Sequence, residues 1–112
     1  MTKQEILLAH KAHLFPSVFH YYKEPLVLDR AQDQYVWDMD GNQYLDFFGG
    51  IVTVSVGHAN PAVNRKVKDQ LDRMQHVSTV FANQPQAALA AKLAAITPEG
   101  KLTKTFFTNS GT

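Results

Sequence analysis

The chain has 112 residues, 45% of them hydrophobic and 19% charged, and 11 Lys and Arg against 10 Asp and Glu leave a net charge of +1. That length and balance suit one small globular domain, and the scattered charges supply neither the basic stripe nucleic acid requires nor a polybasic membrane patch. The absence of cysteine excludes a disulfide framework, thiolate metal sites and a cysteine nucleophile, and fits a reducing compartment.

Thr2-Lys3-Gln4-Glu5 has capping-box spacing, with Thr2 as cap and Glu5 reaching back. Ile6, Leu7, Ala9 and Leu14 then predict a short amphipathic helix that stops before Phe15-Pro16. Met1 to Glu5 lacks the charged-then-apolar order of a secretory signal, and no apolar run nears bilayer length. A cytoplasmic location is therefore expected. The aromatic, irregular stretch from Ser17 to Pro25 holds Phe19, His20, Tyr21 and Tyr22 together. It reads either as apolar cover for the next element or as a Tyr hydroxyl facing a site.

From Leu26 the period becomes two. Leu26-Val27-Leu28, Tyr35-Val36-Trp37 and Gln43-Tyr44-Leu45 read as three strands of an antiparallel meander, with a turn at Asp40-Gly41. Asp38 and Asp40 flank that turn, and turn chemistry accounts for them better than a catalytic carboxylate pair. Gly49-Gly50 precedes the β-branched run Ile51 to Val56, which Gly57-His58 closes. A core strand and the apolar wall of a substrate pocket are both open here. The paired glycines favour an irregular, buried loop.

Asn60 caps a helix with Pro61 in its first turn, and Val63, Val67, Leu71 and Met74 fall on one face. A second helix opens at Pro85, buries Leu89, Leu93 and Ile96, and ends at Thr97-Pro98. Thr103 to Thr108 has the β-branched and aromatic composition of a strand, and adjacent Phe106 and Phe107 require cover on both faces. A strand that hands Ser110-Gly111-Thr112 to a helix N-terminus makes an anion cradle. The chain is thus expected to be the front part of a longer enzyme, ending inside a phosphate site. The histidines His10, His13, His20, His58 and His76 lack the carboxylate or Cys partners of a metal site, and His58 reads as structural.

Three segments together resemble one family. Y-V-W-D-M-D-G-N-Q-Y-L-D-F at Tyr35–Phe47, G-H-A-N-P at Gly57–Pro61 and T-N-S-G-T at Thr108–Thr112 are similar to the opening of class III pyridoxal-phosphate (PLP) aminotransferases. The segments F-F-G-G-I-V-T-V-S-V-G-H and H-V-S-T-V-F most resemble the alanine–glyoxylate aminotransferase 2 branch. The resemblance implies an α/β, fold-type-I enzyme, with 1–60 as N-terminal arm and meander of the small domain. Residues 61–112 would be helices and the first strand entering the PLP-binding large domain.

The resemblance further implies that Gly111 and Thr112 hold the cofactor phosphate, while Ser110 shapes the turn. Ile51 and Val52 would line the substrate pocket, Tyr21 would face the substrate, and His76 to Asn83 would lie near a homodimer interface. Many relatives carry a second His where this chain has Asn60. In the family the Schiff-base lysine and the acid that pairs with the pyridine nitrogen lie downstream, so the 112 residues alone are expected to be inactive. The implied reaction moves nitrogen from a donor such as alanine to an oxo acid such as glyoxylate or pyruvate. A decarboxylase, aminomutase or racemase of the same family, and a free-standing scaffold domain, are the rivals.

Overall fold

The computed structural model describes residues 1–18 and 20–110. Two compact units divide the chain, Met1–Asp69 and Gln70–Thr112.

Helix α1 (Lys3–His13) opens the first unit, and its capping box forms as the sequence indicates. The Glu5 amide donates to the Thr2 hydroxyl at 3.2 Å, and the Thr2 amide donates to the Glu5 carboxylate at 2.8 Å. Basic His10, Lys11 and His13 occupy the last turn, where the negative end of the helix dipole favours them.

The antiparallel sheet has order β1-β2-β3, with β1 at Leu28–Gln32, β2 at Tyr35–Asp38 and β3 at Gln43–Leu45. The second and third strands fall where expected; the first does not. Leu26-Val27-Leu28 carries the apolar signal, but the strand occupies the more polar Leu28–Gln32. Hairpin register is set by the turn rather than by hydrophobicity. Gln32 faces Tyr35 across the short Asp33-Gln34 link, and this pairing carries the ladder back to Leu28 opposite Asp38, with an irregularity between Leu28 and Arg30. The Arg30 guanidinium sits 3.8 Å from the centre of the Trp37 ring, a contact worth about 0.5–1 kcal/mol at an exposed site.

Among the described residues only Val36 and Asp38, both on β2, are buried. Asp38 sits there because its carboxylate closes the β2–β3 turn. It accepts from the Asp40 and Asn42 amides at 3.0 and 2.8 Å, from the Asn42 side chain at 3.0 Å, and from the Tyr44 hydroxyl at 2.8 Å. The turn reading of Asp38 is thereby met. Asp40, its neighbour, pairs instead with Lys3 at 2.8 Å.

Helix α3 (Pro61–Leu71) begins as expected, with the Asn60 side-chain oxygen accepting from the Ala62 and Val63 amides at 3.0 and 3.2 Å. Helix α4 (Gln84–Ile96) starts one residue before Pro85 and is capped by Asn83, whose side chain accepts from the Gln86 amide at 3.0 Å. Both apolar stripes are present, but the expected burial is not. Val63, Val67 and Leu71 are about half exposed, as is Leu89, and Ile96 is largely exposed.

The strand expected over Thr103–Thr108 does not form: these residues belong to no ladder. Composition favours a strand there, but a strand exists only through backbone bonds to a neighbour, and none of the described residues supplies one. Residues 105–107 lie instead along a cleft bordered by Asn83, Gln86 and Ala90 of the α4 region. Phe106 is 90% exposed and Phe107 39%.

Candidate functional site

The first unit concentrates its unusual chemistry between β3 and α3. Asp46 follows β3 directly, and its amide donates to the Gln34 carbonyl at 2.8 Å. Its carboxylate Oδ1 accepts from the Phe48 and Gly49 amides, both at 2.9 Å, which turns the chain sharply. The other oxygen, Oδ2, lies 2.6 Å from His58 Nε2. The His58 bond, followed by the Gly49 and Phe48 amides, holds the Asp46 carboxyl below its ordinary range. An ionised carboxylate only accepts, so Nε2 carries the proton in this bond.

At the far end of the loop, His58 and Asp33 exchange backbone hydrogen bonds at 2.9 and 2.8 Å. A side chain at Gly57 would put its Cβ 3.1 Å from the Asp33 Cα, and Gly57 has φ +86°. Glycine alone suits that approach.

Between these two anchors lies α2 (Gly49–Val52), a single turn of left-handed backbone. Its φ values run +54°, +60°, +60° and +63° from Gly49 to Val52. Amides of Val52, Thr53 and Val54 donate to Phe48 and Gly49 carbonyls at 2.9–3.1 Å. The expected irregular loop is therefore found, but it is not buried: Ile51 is 72% exposed and Val52 85%. For L-residues the left-handed conformation costs roughly 1–2 kcal/mol each, and β-branched residues rarely adopt it.

Tyr21 borders a different feature, a groove of about 950 Å³ along the meander, lined by Tyr22, Leu28, Val36, Leu45 and Phe48 among others. The aromatic patch thus flanks the sheet without sealing it, since Tyr21 is 83% and Tyr22 69% exposed. Neither Ile51 nor Val52 lines that groove. Ser110 is exposed, in the second unit, and its carbonyl accepts from the Thr108 hydroxyl at 2.7 Å. Gly111 and Thr112 lie outside the described residues, as does Phe19.

The carboxylate that organises the loop, Asp46, lies inside the Tyr35–Phe47 motif, where the sequence alone assigned it no role. Its signal was available: an acid three residues ahead of Gly49 has the spacing of a side-chain cap. His58, read as structural, makes contacts that fit such a role. Among the described residues no group of three His, Cys, Asp or Glu side chains gathers as for a metal. No helix among them is long and apolar enough to cross a membrane.

Residues 19–112 match the family model for class III aminotransferases. The chain belongs to the class III aminotransferase family, and the α/β, fold-type-I class read from its sequence stands. It is 49% identical over 106 residues to mitochondrial alanine–glyoxylate aminotransferase 2 of Pongo abelii, covering 95% of this chain and 20% of that protein. It is 48% identical over 101 residues to the acetylornithine aminotransferase of Myxococcus xanthus, covering 90% and 24%. Among solved structures, taurine:2-oxoglutarate aminotransferase from Bifidobacterium kashiwanohense, in complex with PLP and glutamate, superposes with a TM-score of 0.76 at 26% identity. That match covers 86% of this chain and 22% of the other. The chain spans about a fifth to a quarter of the length of these relatives.

Proposed function

We propose that the complete protein is a PLP-dependent aminotransferase that moves nitrogen from an amino donor such as alanine to a 2-oxo acid such as glyoxylate or pyruvate. The family match over residues 19–112 carries this reading. Both curated relatives named above are aminotransferases, which favours transamination over decarboxylation, aminomutation or racemisation. In this reading residues 1–60 belong to the small domain and 61–112 lead into the large one. The active protein is a homodimer with His76 to Asn83 near the interface.

The cofactor's phosphate falls to Ser110, Gly111 and Thr112. The residue types fit an anion: Ser110 and Thr112 bring hydroxyls, and no Asp or Glu occurs between Lys101 and Thr112. When bound, the cofactor supplies the electron sink for bonds at the substrate's α-carbon. The chain's own residues supply placement, with Tyr21, Ile51 and Val52 as the apolar wall that orients the substrate and sheds water. A cytoplasmic location belongs to this proposal, and the mitochondrial location of the Pongo abelii relative is its rival; fractionation of the full-length protein separates them.

The test is direct. Full-length protein purified with PLP should show the visible absorbance of bound cofactor, lose it on borohydride reduction, and transfer nitrogen from alanine to glyoxylate. A protein that stays colourless with added PLP ends the proposal. The Myxococcus xanthus relative favours acetylornithine as a second donor, so kcat/KM for the two amines ranks them.

A further inference from the structure

We propose that Asp46 and His58 are positioning residues for the substrate: their hydrogen bond closes residues 47–57 into a ring and holds Ile51 and Val52 in place against the amino or oxo acid. The inference rests on the reading of Ile51 and Val52 as substrate wall, and goes beyond it by naming what fixes that wall.

The ring is closed at one place by independent bonds. On one side Asp46 is anchored through its amide to the Gln34 carbonyl at 2.8 Å. On the other, His58 is anchored to Asp33 through both backbone groups at 2.9 and 2.8 Å. Asp33 and Gln34 are consecutive, so both ends of the loop are tied to the same β1–β2 link. The 2.6 Å bond between Asp46 Oδ2 and His58 Nε2 then joins the ends to each other.

The backbone inside the ring is what makes this closure informative. Ile51 and Val52 hold φ values of +60° and +63° while exposing most of their side chains. Strained backbone persists only where its surroundings over-determine it, and it gathers at functional sites. Packing does not over-determine this turn, because neither apolar side chain is covered. Hydrogen bonds do: Asp46 Oδ1 holds the amides that enter the turn, and the Thr53 hydroxyl donates to the Gly50 carbonyl at 2.7 Å on the way out. Among the described residues, Asp46 is the one side chain that serves both the turn and the ring closure. It is itself only 12% exposed, and His58 is 22% exposed, so water competes weakly for the bond between them.

In the full-length holoenzyme, Asp46→Ala and His58→Ala should each raise KM for both substrates about tenfold, roughly 1.4 kcal/mol. The kcat should move less than about threefold, because the lost interaction acts on binding. Cofactor absorbance should be retained, and amide hydrogen exchange across 48–57 should accelerate. Both residues serve one bond, so the double variant should be little worse than the worse single. His58→Gln keeps a donor at comparable reach and should restore KM to within about twofold of wild type.

A wild-type KM in the alanine variants overturns the proposal, whether or not exchange accelerates, and so does failure of His58→Gln to rescue. If Asp46→Ala does not fold, His58→Ala and His58→Gln carry the test, since both leave the Asp46 bonds to the backbone in place. A wild-type protein that transfers no nitrogen removes the functional reading, and substrate positioning falls with it. An active wild type with unmoved variants removes positioning alone.

Discussion

Asp38 shows how a single carboxylate fixes a turn and leaves a mark in the pH dependence of stability. Its hydrogen bonds, from the Asn42 side chain first and with Tyr44 and the Asn42 and Asp40 amides adding to it, lower its pKa from 3.8 to about 2. The same contact pushes the Tyr44 hydroxyl up. A carboxyl that is more acidic folded than unfolded stabilises the fold above its unfolded pKa. That contribution is lost as pH falls from 3.8 through about 2. Asp38→Asn should therefore lower the urea midpoint of the full-length protein at pH 6, and the gap to wild type should close as the pH approaches 2. A gap of constant size across that range would show that the charge on Asp38 contributes nothing. Asp46, lowered by His58 and the Gly49 and Phe48 amides, follows the same sign, so its contribution too declines on acidification.

At the scale of elements, what was legible depended on whether the deciding interaction is local. Caps and turns are local. Thr2, Asn60, the Asp38 turn, β2, β3 and the end of α4 all stand where short-range chemistry puts them. Asn60→Ala should thus cost about 1 kcal/mol in a denaturant titration, and Asn60→Asp much less, because the aspartate still accepts from the first amides of α3. The misplaced β1 and the unformed strand at Thr103–Thr108 depend on partners, and apolar content does not disclose a partner. The site was half legible in the same sense. Gly49-Gly50 signalled a bend and Asp46 has cap spacing to it, but the bond between Asp46 and His58 spans twelve residues, which no local pattern joins. The strain in α2 has its own consequence. Ile51→Gly removes a left-handed penalty of roughly 1–2 kcal/mol and adds a glycine entropy cost of about 0.5–1 kcal/mol. Because Ile51 is 72% exposed, little packing is lost, and the melting temperature should hold or rise. Under the proposed function the same change should weaken substrate binding. A clear drop in melting temperature would mean that the turn is not strained.

The whole molecule is defined by how much apolar surface it leaves in water. In the first unit Phe47 is 92%, Val52 85% and Tyr21 83% exposed; in the second Phe106 is 90%, Val80 78% and Ile96 71% exposed. Isolated apolar residues on a surface are ordinary, but contiguous exposed faces mark contact surfaces or aggregation sites. Many of the exposed residues here lie together, in the groove beside β2, on the α3 and α4 stripes, and along the run at 102–107. With only Val36 and Asp38 buried among the described residues, hydrophobic burial is too small to offset an ordering cost of about 1–2 kcal/mol per residue. Under the proposed function, the remainder of a longer chain and a second subunit would cover these faces. The 112 residues expressed alone should therefore bind an apolar dye, self-associate, and unfold on heating without a sharp transition. The full-length protein should do none of these. A free-standing scaffold domain predicts the reverse for the short chain, so a monomer that melts cooperatively and leaves the dye dark would restore that reading. Calorimetry with a dye titration on both lengths decides it, because only the scaffold requires that these faces be sealed within the 112 residues themselves.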